Sequence, residues 1–355
     1  MEPLHTYACS LKDDSIRMSS SSGAVFSALA SYVLSKKGVV YGVAMSEDCY
    51  SAEYISVIDE EGLVKLRGSK YLQAKVGNTY KQVQSDLLDG KYVLFMGTGC
   101  QVSGLKNFLG KDYDNLICVD VICHGAPSPA LWRKYVLHQE EKYGGKLKYV
   151  NFRCKDQGWT DFGMKEAMST IPEKHMRQSF ISKNNDPYMQ MFLRDYCLRP
   201  SCYECPAKKV KMSDISIADF WGIQRVAPDM NDEKGTSLVL IRTMKGKDVF
   251  DKVLEQFRYR EVSYEDGVSG NKAEYQSAKR PNQRDSFFLD MENLTFDDLS
   301  KIYAVPIKVP VKTKIKRQIK KIVMPVLRIF GGGQRVMPTM DYSLCFVFDC
   351  KEEPN

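Results

Sequence analysis

The spacing of hydrophobic and polar residues changes along the chain between a helical period and short continuous apolar runs. "AVFSALASYVLSKK" (24–37) has apolar residues at helical spacing and is followed by "VVYGVAM" (39–45), a run typical of a buried strand. "YISVIDEEGLVKL" (54–66) predicts a hairpin with its turn at Glu60, Glu61 and Gly62. The pattern predicts a helix at 79–89 and weakens after about residue 262.

The middle of the chain predicts a βαβ unit. "KYVLFMG" (91–97) and "NLICVDVIC" (115–123) are apolar runs, and a glycine turn with a helical pattern, "TGCQVSGLKNFLG" (98–110), separates them. Such a unit makes a right-handed crossover between parallel strands. Further strands are predicted at 148–155, 214–222 and 236–243, so the fold class is α/β, with a mixed, largely parallel sheet and flanking helices.

Composition narrows the class of protein. The 355 residues are 43% hydrophobic and 27% charged, as in a soluble globular protein, and no apolar run reaches the length of a membrane span. The start, "MEPLHTYACSLKDD", lacks the pattern of a signal peptide, so a cytoplasmic location is predicted, with peripheral binding to the inner face of the membrane as an extension.

The positive charge is concentrated near the C terminus. The formal net charge is +7, and the eight cations between Lys308 and Arg328, with no acid among them, exceed it. The rest of the chain is therefore close to neutral, which argues against nucleic acid as a partner. Helical apolar spacing in 309–330 predicts a basic amphipathic C-terminal helix. It could pack on the body, lie on an anionic membrane surface, or bind an acidic partner.

The eleven cysteines point to metal or redox chemistry, because a reducing compartment disfavours disulfides. Cys202 and Cys205 form a CxxC pair, which suits a redox dithiol, a zinc site or an iron–sulfur cluster. A dithiol should follow a strand and open a helix, whereas here a predicted helix comes before the pair and a strand after it. A zinc site lacks a second CxxC or paired histidines. A [4Fe–4S] cluster accepts ligands from separate loops, and Cys100 and Cys123 follow adjacent predicted parallel strands. The pattern favours the cluster over zinc.

Other segments carry groups suited to an anionic cofactor, and each also has a plainer interpretation. Ser20–Gly23 could cradle a dinucleotide pyrophosphate or simply cap a helix. Lys70 lies beside a tight turn, and Arg153 and Lys155 lie at a strand end near Trp159, where cations and aromatic rings suit an anionic ring or a solvated edge. His124 could donate a proton or cap the next helix.

The motifs of this chain, taken in their order along the sequence, resemble those of the beta-subunit family of coenzyme F420 hydrogenases and dehydrogenases. The similarity covers about residues 5–265. It rests on "SSSGA" (20–24), "LRGSKYLQAKVG" (66–77), "VLFMGTGCQVSGLKNFLG" (93–110), "VDVICHGAPSPALWRKY" (119–135), "NFRCKDQGW" (151–159) and "LRPSCYECPAKKVKMSDISIADFWGI" (198–223).

The resemblance implies an iron–sulfur flavoprotein oxidoreductase that passes electrons between a [4Fe–4S] cluster, FAD and a second carrier or substrate. The implied cluster ligands are Cys100, Cys123, Cys202 and Cys205, and His124 and Lys70 are the candidate catalytic residues. The implied FAD-binding residues are Ser20, Ser21, Ser22, Gly23, Gly68, Ser69, Lys70, Tyr71, Gly97, Thr98 and Gly99, and the residue pattern adds Arg153 and Lys155.

The resemblance also predicts an organisation and partners. We expect an N-terminal flavin-binding region (1–90) that is compact with a cluster- and flavin-binding region (91–265), then a weakly patterned segment (266–305) and the basic tail (306–355). Many relatives carry an N-terminal ferredoxin-like domain. We expect this protein to lack that domain, so a separate ferredoxin or other electron-transfer protein is the expected partner. The second carrier is an F420-type deazaflavin or an unknown substrate, with a role in polysaccharide biosynthesis.

The residues leave two alternatives to this function. One is a non-catalytic interaction protein of a polysaccharide-assembly system that retains the fold, and the other is a zinc-binding variant. Two positions also depart from the family pattern: Ala24 replaces a glycine and Gly99 replaces a proline.

Overall fold

Two sheets organise the structure, a computed structural model whose described residues are 2–170 and 176–304. The larger sheet has nine strands and the smaller has three. The strands are β1 (His5–Leu11), β2 (Val39–Met45), β3 (Ala52–Val57), β4 (Ala74–Lys75), β5 (Val93–Thr98), β6 (Leu116–Val121), β7 (Gly145–Cys154), β8 (Gly163–Thr170), β9 (Met176–Ser182), β10 (Ile215–Asp219), β11 (Ser237–Ile241) and β12 (Phe257–Glu261).

Helices cover both faces of the larger sheet, and a further group of helices packs against the smaller sheet. They are α1 (Asp14–Ser19), α2 (Val25–Ser35), α3 (Glu60–Leu66), α4 (Thr79–Leu88), α5 (Gly99–Leu109), α6 (Pro129–Tyr143), α7 (Pro187–Leu193), α8 (Ile223–Val226), α9 (Met244–Asp251), α10 (Tyr264–Val268), α11 (Arg284–Asn293) and α12 (Phe296–Tyr303).

The larger sheet has the order β12-β1-β11-β10-β6-β5-β2-β3-β4. Its centre is parallel, because β10 pairs with β6, β6 with β5 and β5 with β2 in the same direction. Antiparallel pairs lie on either side. The predicted α/β fold with a mixed sheet that is parallel at its centre and the βαβ unit β5–α5–β6 are confirmed, and a short parallel pair of β3 with β4 closes one edge.

Apolar faces of the helices close three buried cores. On one face of the large sheet, α2 and α9 bury residues such as Leu29 and Phe250. On the other face, α4 and α5 bury Val83 and Leu105 against β5 and β6. A further core, which includes Trp132, joins α6, α7, α11 and α12 to the small sheet. The fourth cluster lies beside β10 and β11.

Two predicted elements differ from the structure. The predicted hairpin at 54–66 is wrong: β3 is followed by α3, whose first turn is capped by the Asp59 carboxylate on the Gly62 N–H at 2.7 Å. A strand with a helix behind it buries Leu63 and Leu66, whereas a second strand would expose one of them. The weakly patterned segment 266–305 contains α11 and α12, whose Phe287 and Leu299 are buried.

None of the helices within residues 2–170 and 176–304 is long and apolar enough to cross a membrane. The predicted basic helix, in the 306–355 tail, lies outside the described residues, as do Cys345, Cys350 and His175.

Candidate functional site

The predicted site residues gather at one edge of the large sheet. β1, β2, β5, β6 and β10 all run in the same direction, so their carboxyl ends lie at this edge. The segments that leave β5 and β6 start side by side, because Thr98 is opposite Val121 in the register. Ligands of open α/β sheets bind at such edges.

The four predicted cluster cysteines line one cavity. Cys100, Cys123, Cys202 and Cys205 all contribute to its wall, together with Thr98, Gly99 and Asp120. The cysteines come from three separate segments of the chain, so the tertiary fold brings them together. Within the described residues, no group of three or more His, Cys, Asp or Glu side chains could hold a single metal ion.

Cys100 lies in the first turn of α5, at the exposed mouth of the cavity. Thr98 caps this helix in a capping box with Gln101, and its hydroxyl lies 3.2 Å from the Cys100 sulfur. A Cβ atom at Gly99 would lie 2.9 Å from an Asp120 carboxylate oxygen and 3.1 Å from the Ala207 Cβ. Glycine in place of the family's proline therefore lets the start of α5 approach both neighbours closely.

Cys123 and Cys202 are more covered than Cys100. Cys123 follows the end of β6, and burial raises the pKa of its thiol to about 12. Burial also raises the pKa of Cys202, whose sulfur accepts a hydrogen bond from the Ala126 N–H at 3.4 Å. Both thiols are therefore protonated at neutral pH unless a metal displaces the proton.

Two basic residues form part of the same wall. The Lys208 ammonium donates to the Cys123 carbonyl oxygen at 2.5 Å and to the Ala273 carbonyl. Lys211 pairs with the buried Glu274 at 3.1 Å. Their positive charge would favour thiolates, and hence a negatively charged metal–thiolate group, in the cavity.

His124 is held in one orientation beside the cavity. Its Nε2 atom lies 2.6 Å from the Asp195 carboxylate, and its ring packs edge-on against Phe192, with ring centres 5.2 Å apart. Its predicted alternative role, as a cap of α6, belongs by position to Ser128, the residue that precedes that helix.

The predicted FAD-binding loops meet in a second group of residues. The Ser21 and Ser69 hydroxyls lie 2.9 Å apart, and the Ser69 N–H donates to Ser21 at 2.8 Å. The segment that follows Ser21 is fixed to β11, because Ser22 donates to the Thr236 carbonyl and the Gly23 N–H donates to the Ser237 hydroxyl. These contacts bring the 20–23 and 68–71 segments together, as the prediction required.

Gly23 and Ala24 are constrained by this close approach. A Cβ atom at Gly23 would overlap the Cys9 carbonyl oxygen, so only glycine fits there. Ala24 has a φ of 67°, in the left-handed region that favours glycine, at the start of α2. The family pattern implied by the resemblance has glycine at position 24. Ala24 therefore has a backbone conformation that glycine adopts more readily.

Lys155 is buried, and its ammonium holds three backbone segments together. It donates to the carbonyl oxygens of Arg17 at 2.6 Å, Ser22 at 3.3 Å and Lys234 at 2.7 Å. Burial lowers its pKa to about 7. An ammonium has three N–H donors, and these three carbonyls use all of them. Lys155 therefore fixes the shape of the loop at residues 20–23, which we call the serine loop, and any contribution of Lys155 to cofactor binding comes through that loop.

Lys70 holds the turn at residues 67–70 in a similar way. Its ammonium donates to the carbonyl oxygens of Lys65 at 3.0 Å and Arg67 at 2.8 Å, and burial lowers its pKa to about 7. A lysine with this pKa can gain or lose a proton near neutral pH. The predicted catalytic roles of Lys70 and His124 stay predictions.

Arg153 occupies the centre of the second group. It donates to the Asp219 carboxylate at 2.9 Å and to the Tyr71 hydroxyl at 3.3 Å. Its guanidinium lies over the rings of Phe162 and Trp221, 3.9 Å and 5.5 Å from their centres. Asp219 also accepts from the indole of Trp159 at 2.8 Å, and the Trp159 ring stacks on Trp221. This arrangement fixes a buried cation between aromatic faces.

Two buried N–H donors in this group have no partner among the described residues. They are the Nε atoms of Arg67 and Arg153. A buried donor without an acceptor is costly, so an acceptor on a bound molecule would satisfy both. Gly68, between Arg67 and Tyr71, has a φ of 81° and open space where a Cβ would stand. The residues therefore fit an anionic cofactor such as FAD at this turn.

One aromatic side chain connects the two groups. Phe192 packs against His124 beside the cysteine cavity and against Tyr71 beside Arg153, at 5.2 Å in both cases. Gly97 belongs to neither group, because it lies within β5 against the Tyr54 hydroxyl. Thr98 and Gly99 lie with the cysteines. Sequence reasoning noted Arg67 only as part of the basic turn "RGSKY" (67–71). It gave no role to Phe192, Asp219 or Trp221, although "ADFWG" (218–222) is a distinctive end to a strand.

Comparisons with known proteins agree with the motifs. Residues 6–80 match the model of the coenzyme F420 hydrogenase/dehydrogenase beta subunit N-terminal domain, and residues 90–266 match that of its C terminus. No curated protein matches the chain. A chain of the F420-reducing [NiFe] hydrogenase complex from Methanosarcina barkeri matches 85% of this chain and 91% of its own length, at 14% identity and a TM-score of 0.49. The two family models together cover most of the sequence, and the chain belongs to the coenzyme F420 hydrogenase/dehydrogenase beta subunit family, whose members are oxidoreductase subunits.

Proposed function

We propose that the protein is an iron–sulfur flavoprotein oxidoreductase that passes electrons between a [4Fe–4S] cluster, FAD and a second carrier or substrate. The observation that carries the proposal is the cavity lined by Cys100, Cys123, Cys202 and Cys205. Four cysteines from three chain segments are the donor set that a [4Fe–4S] cluster takes. The family assignment independently favours electron transfer.

The placement of these cysteines along the chain favours a cluster over a zinc ion. One CxxC pair, Cys202 and Cys205, joins two single cysteines from other segments, whereas a structural zinc site usually draws on two CxxC pairs or on a CxxC pair with two histidines. The raised pKa values of Cys123 and Cys202 imply that loading the site releases protons.

The second group of residues would hold FAD in this proposal. Arg67 and Arg153 would donate their unpartnered Nε–H groups to acceptors of the cofactor, and the turn at Gly68 leaves space for a close backbone approach. Ser21 and Ser69 would orient the loop, and Lys155 would keep its shape. When bound, the cluster carries single electrons, and the flavin links them to a two-electron carrier.

Partner and pathway follow from the same proposal. The second carrier would be an F420-type deazaflavin, or a substrate of polysaccharide biosynthesis, where many bacterial relatives of this kind occur. A ferredoxin or another separate electron-transfer protein would supply or receive electrons at the cluster. His124 and Lys70 are the groups that we propose for moving protons, because one adjoins each residue group.

Anaerobic purification tests this function directly. We expect iron near four atoms per chain, a broad absorbance in the blue part of the visible spectrum, and bound flavin that dithionite bleaches. Cys205→Ser should remove the broad absorbance and most of the iron, because the CxxC pair supplies two of the four ligands. Cys118→Ala is the matched control, since Cys118 is buried in the middle of β6.

The alternatives give different results in the same experiment. One zinc per chain with no iron would overturn the cluster and favour the zinc-binding variant. A colourless protein that neither takes up FAD nor reconstitutes a cluster would favour the interaction protein.

A further inference from the structure

Two basic segments lie side by side at the mouth of the cysteine cavity. One is "PAKKVK" (206–211), directly after Cys205, and the other is "NKAEYQSAKR" (271–280). The Lys208 ammonium donates to the Ala273 carbonyl, the Lys211 ammonium donates to the Glu274 carbonyl, and the Cys205 N–H donates to the Ser277 hydroxyl at 3.0 Å. Both segments contribute residues to the cavity wall.

The outward charges of these two segments are almost all positive. Lys209, Lys272 and Lys279 are exposed, and none pairs with a carboxylate of the described residues. We call these three lysines the basic rim. Glu274, the one acid in the two segments, is buried and paired with Arg242 at 2.6 Å. Arg280 is also exposed, but it pairs with Asp285.

Apolar side chains are exposed among these charges. Val210, next to Lys209, is 60% exposed, and Tyr275, between Lys272 and Lys279, is 52% exposed. Exposed apolar groups within a charged rim are typical of a protein-binding surface. Cys100, the exposed cysteine of the four, opens at the same cavity. A partner bound here would cover the solvent side of the proposed cluster.

We propose that the basic rim, with Val210 and Tyr275 between its lysines, is the docking surface for an acidic electron-transfer protein. This inference rests on the proposed function, and it adds the place and the charge of the partner. Complementary charge speeds encounter and orients the two proteins, while the apolar centre stabilises the bound state. Glu204, between Cys202 and Cys205, is exposed, and a partner that docks on the rim should leave this acid in contact with solvent.

Equilibrium binding of an acidic plant-type [2Fe–2S] ferredoxin, labelled and followed by fluorescence anisotropy, tests the proposal. The rim variant is the triple change Lys209→Glu, Lys272→Glu and Lys279→Glu. The charge-matched control is Lys36→Glu, Lys148→Glu and Lys252→Glu, at exposed positions directly after α2, in β7 and directly after α9. We expect the rim variant to bind at least about 10-fold more weakly at low salt and the control to bind within about 2-fold of wild type. Added salt should weaken wild-type binding and leave the rim variant little changed.

Other outcomes would overturn the docking surface. These are equal losses in the rim variant and the control, or no binding of the ferredoxin by the wild type. Iron content and flavin spectra of the same preparations report on the proposed function separately. If the protein holds iron and flavin but binds the ferredoxin through other lysines, the docking surface alone is refuted. If the protein holds neither iron nor flavin, the proposed function is refuted.

Discussion

Arg153 combines several interactions that a lysine could not reproduce. Its guanidinium contacts a carboxylate, a phenol hydroxyl and two aromatic rings, and its Nε–H is buried without a partner among the described residues. A planar guanidinium can stack on rings and donate in several directions, whereas an ammonium is a compact point charge. The side chain is thus prepared to bind an acceptor in the ring-lined group.

Arg153→Lys should therefore weaken FAD binding by at least about 10-fold, even though the charge is retained. The measurement is flavin fluorescence quenching during titration of the flavin-free protein. Arg177→Lys is the control, because Arg177 also lies over a ring, that of Tyr143 at 4.5 Å, but is exposed on β9. Equal affinities for the two variants would contradict a direct role of Arg153. A thermal unfolding curve for each shows whether the protein remains folded.

At the residue scale, the meeting of the four cysteines in one cavity was the most predictable part of the site. Cys202 and Cys205 are recognisable from their spacing alone, and Cys100 and Cys123 from their place after two apolar strands. The residues around Arg153 were harder to predict, because Asp219 and Trp221 contact it from a distant segment and Phe192 contacts its partner Tyr71. Their side-chain contacts depend on how the small sheet and α7 pack, which the local pattern does not encode.

The helix α7 links a buried acidic cluster to the site. Its N-cap, Asp186, accepts from the Met189 N–H at 2.8 Å and from the Tyr135 hydroxyl at 3.0 Å. Gln139 donates to Tyr135 and to Glu166, a second buried carboxylate. Farther along α7, the Tyr188 hydroxyl donates to the Tyr71 carbonyl and Phe192 packs on the Tyr71 ring. The position of Tyr71 therefore depends on how this helix begins.

Asp186 should make stability depend on pH. Burial raises its pKa from an ordinary value near 3.8 to about 7, so the folded state binds more protons than the unfolded state between these values. Its contribution to the unfolding free energy is fully present below pH 4 and is lost as the pH rises to about 7. Asp186→Asn keeps an oxygen cap, and it should gain stability relative to wild type, on the order of 2–4 kcal/mol, across this window.

Denaturant unfolding at several pH values measures this difference. Asp59→Asn is the matched control, since Asp59 caps α3 in the same way at an exposed position. The same pH slope for wild type and Asp186→Asn would show that Asp186 does not hold its proton. Glu166 and Asp120, whose pKa values burial also raises, would then be sources of such a slope.

Helices and strands were easier to predict where the hydrophobic pattern followed a single type over its whole length. The strands β5 and β6 are continuous apolar runs buried on both faces, and glycine marks the turn between strand and helix. The 54–66 segment was harder, because Asp59, Glu60 and Glu61 suit a helix start as well as a turn. Burial of Leu63 and Leu66 beneath the sheet decided between them, and that depends on the neighbouring α2.

At the scale of the molecule, the two family-matched segments interleave in one sheet. β1, near the start of the chain, pairs with β11 and β12, whereas β2 pairs with β5 and lies four strands away from β11. Neither segment could complete this sheet alone. The serine loop after β1 and the cysteine turn after β5 consequently reach the same edge only in the full arrangement.

The basic tail carries a prediction that concerns the whole protein, although it lies outside the described residues. Apolar residues recur at helical spacing in 309–330: Ile315, Ile319, Ile322, Val323, Val326 and Phe330. No acidic residue lies among the cations of this segment. We propose that this tail binds an anionic membrane surface, each cation near the surface contributing about 1 kcal/mol. Co-sedimentation with vesicles should then show binding to anionic but not to neutral lipid.

A charge-neutralised form of the full chain gives the sharpest comparison. Lys312→Gln, Lys314→Gln and Lys316→Gln together keep the apolar spacing and remove three charges, so they should weaken binding to anionic vesicles by about 100-fold. The same changes at Lys36, Lys148 and Lys252 should have little effect, because those lysines lie on separate elements of the body. If both triple variants bind anionic vesicles as wild type does, the tail is not the membrane contact, and packing of its apolar face on the body becomes the better explanation of the pattern.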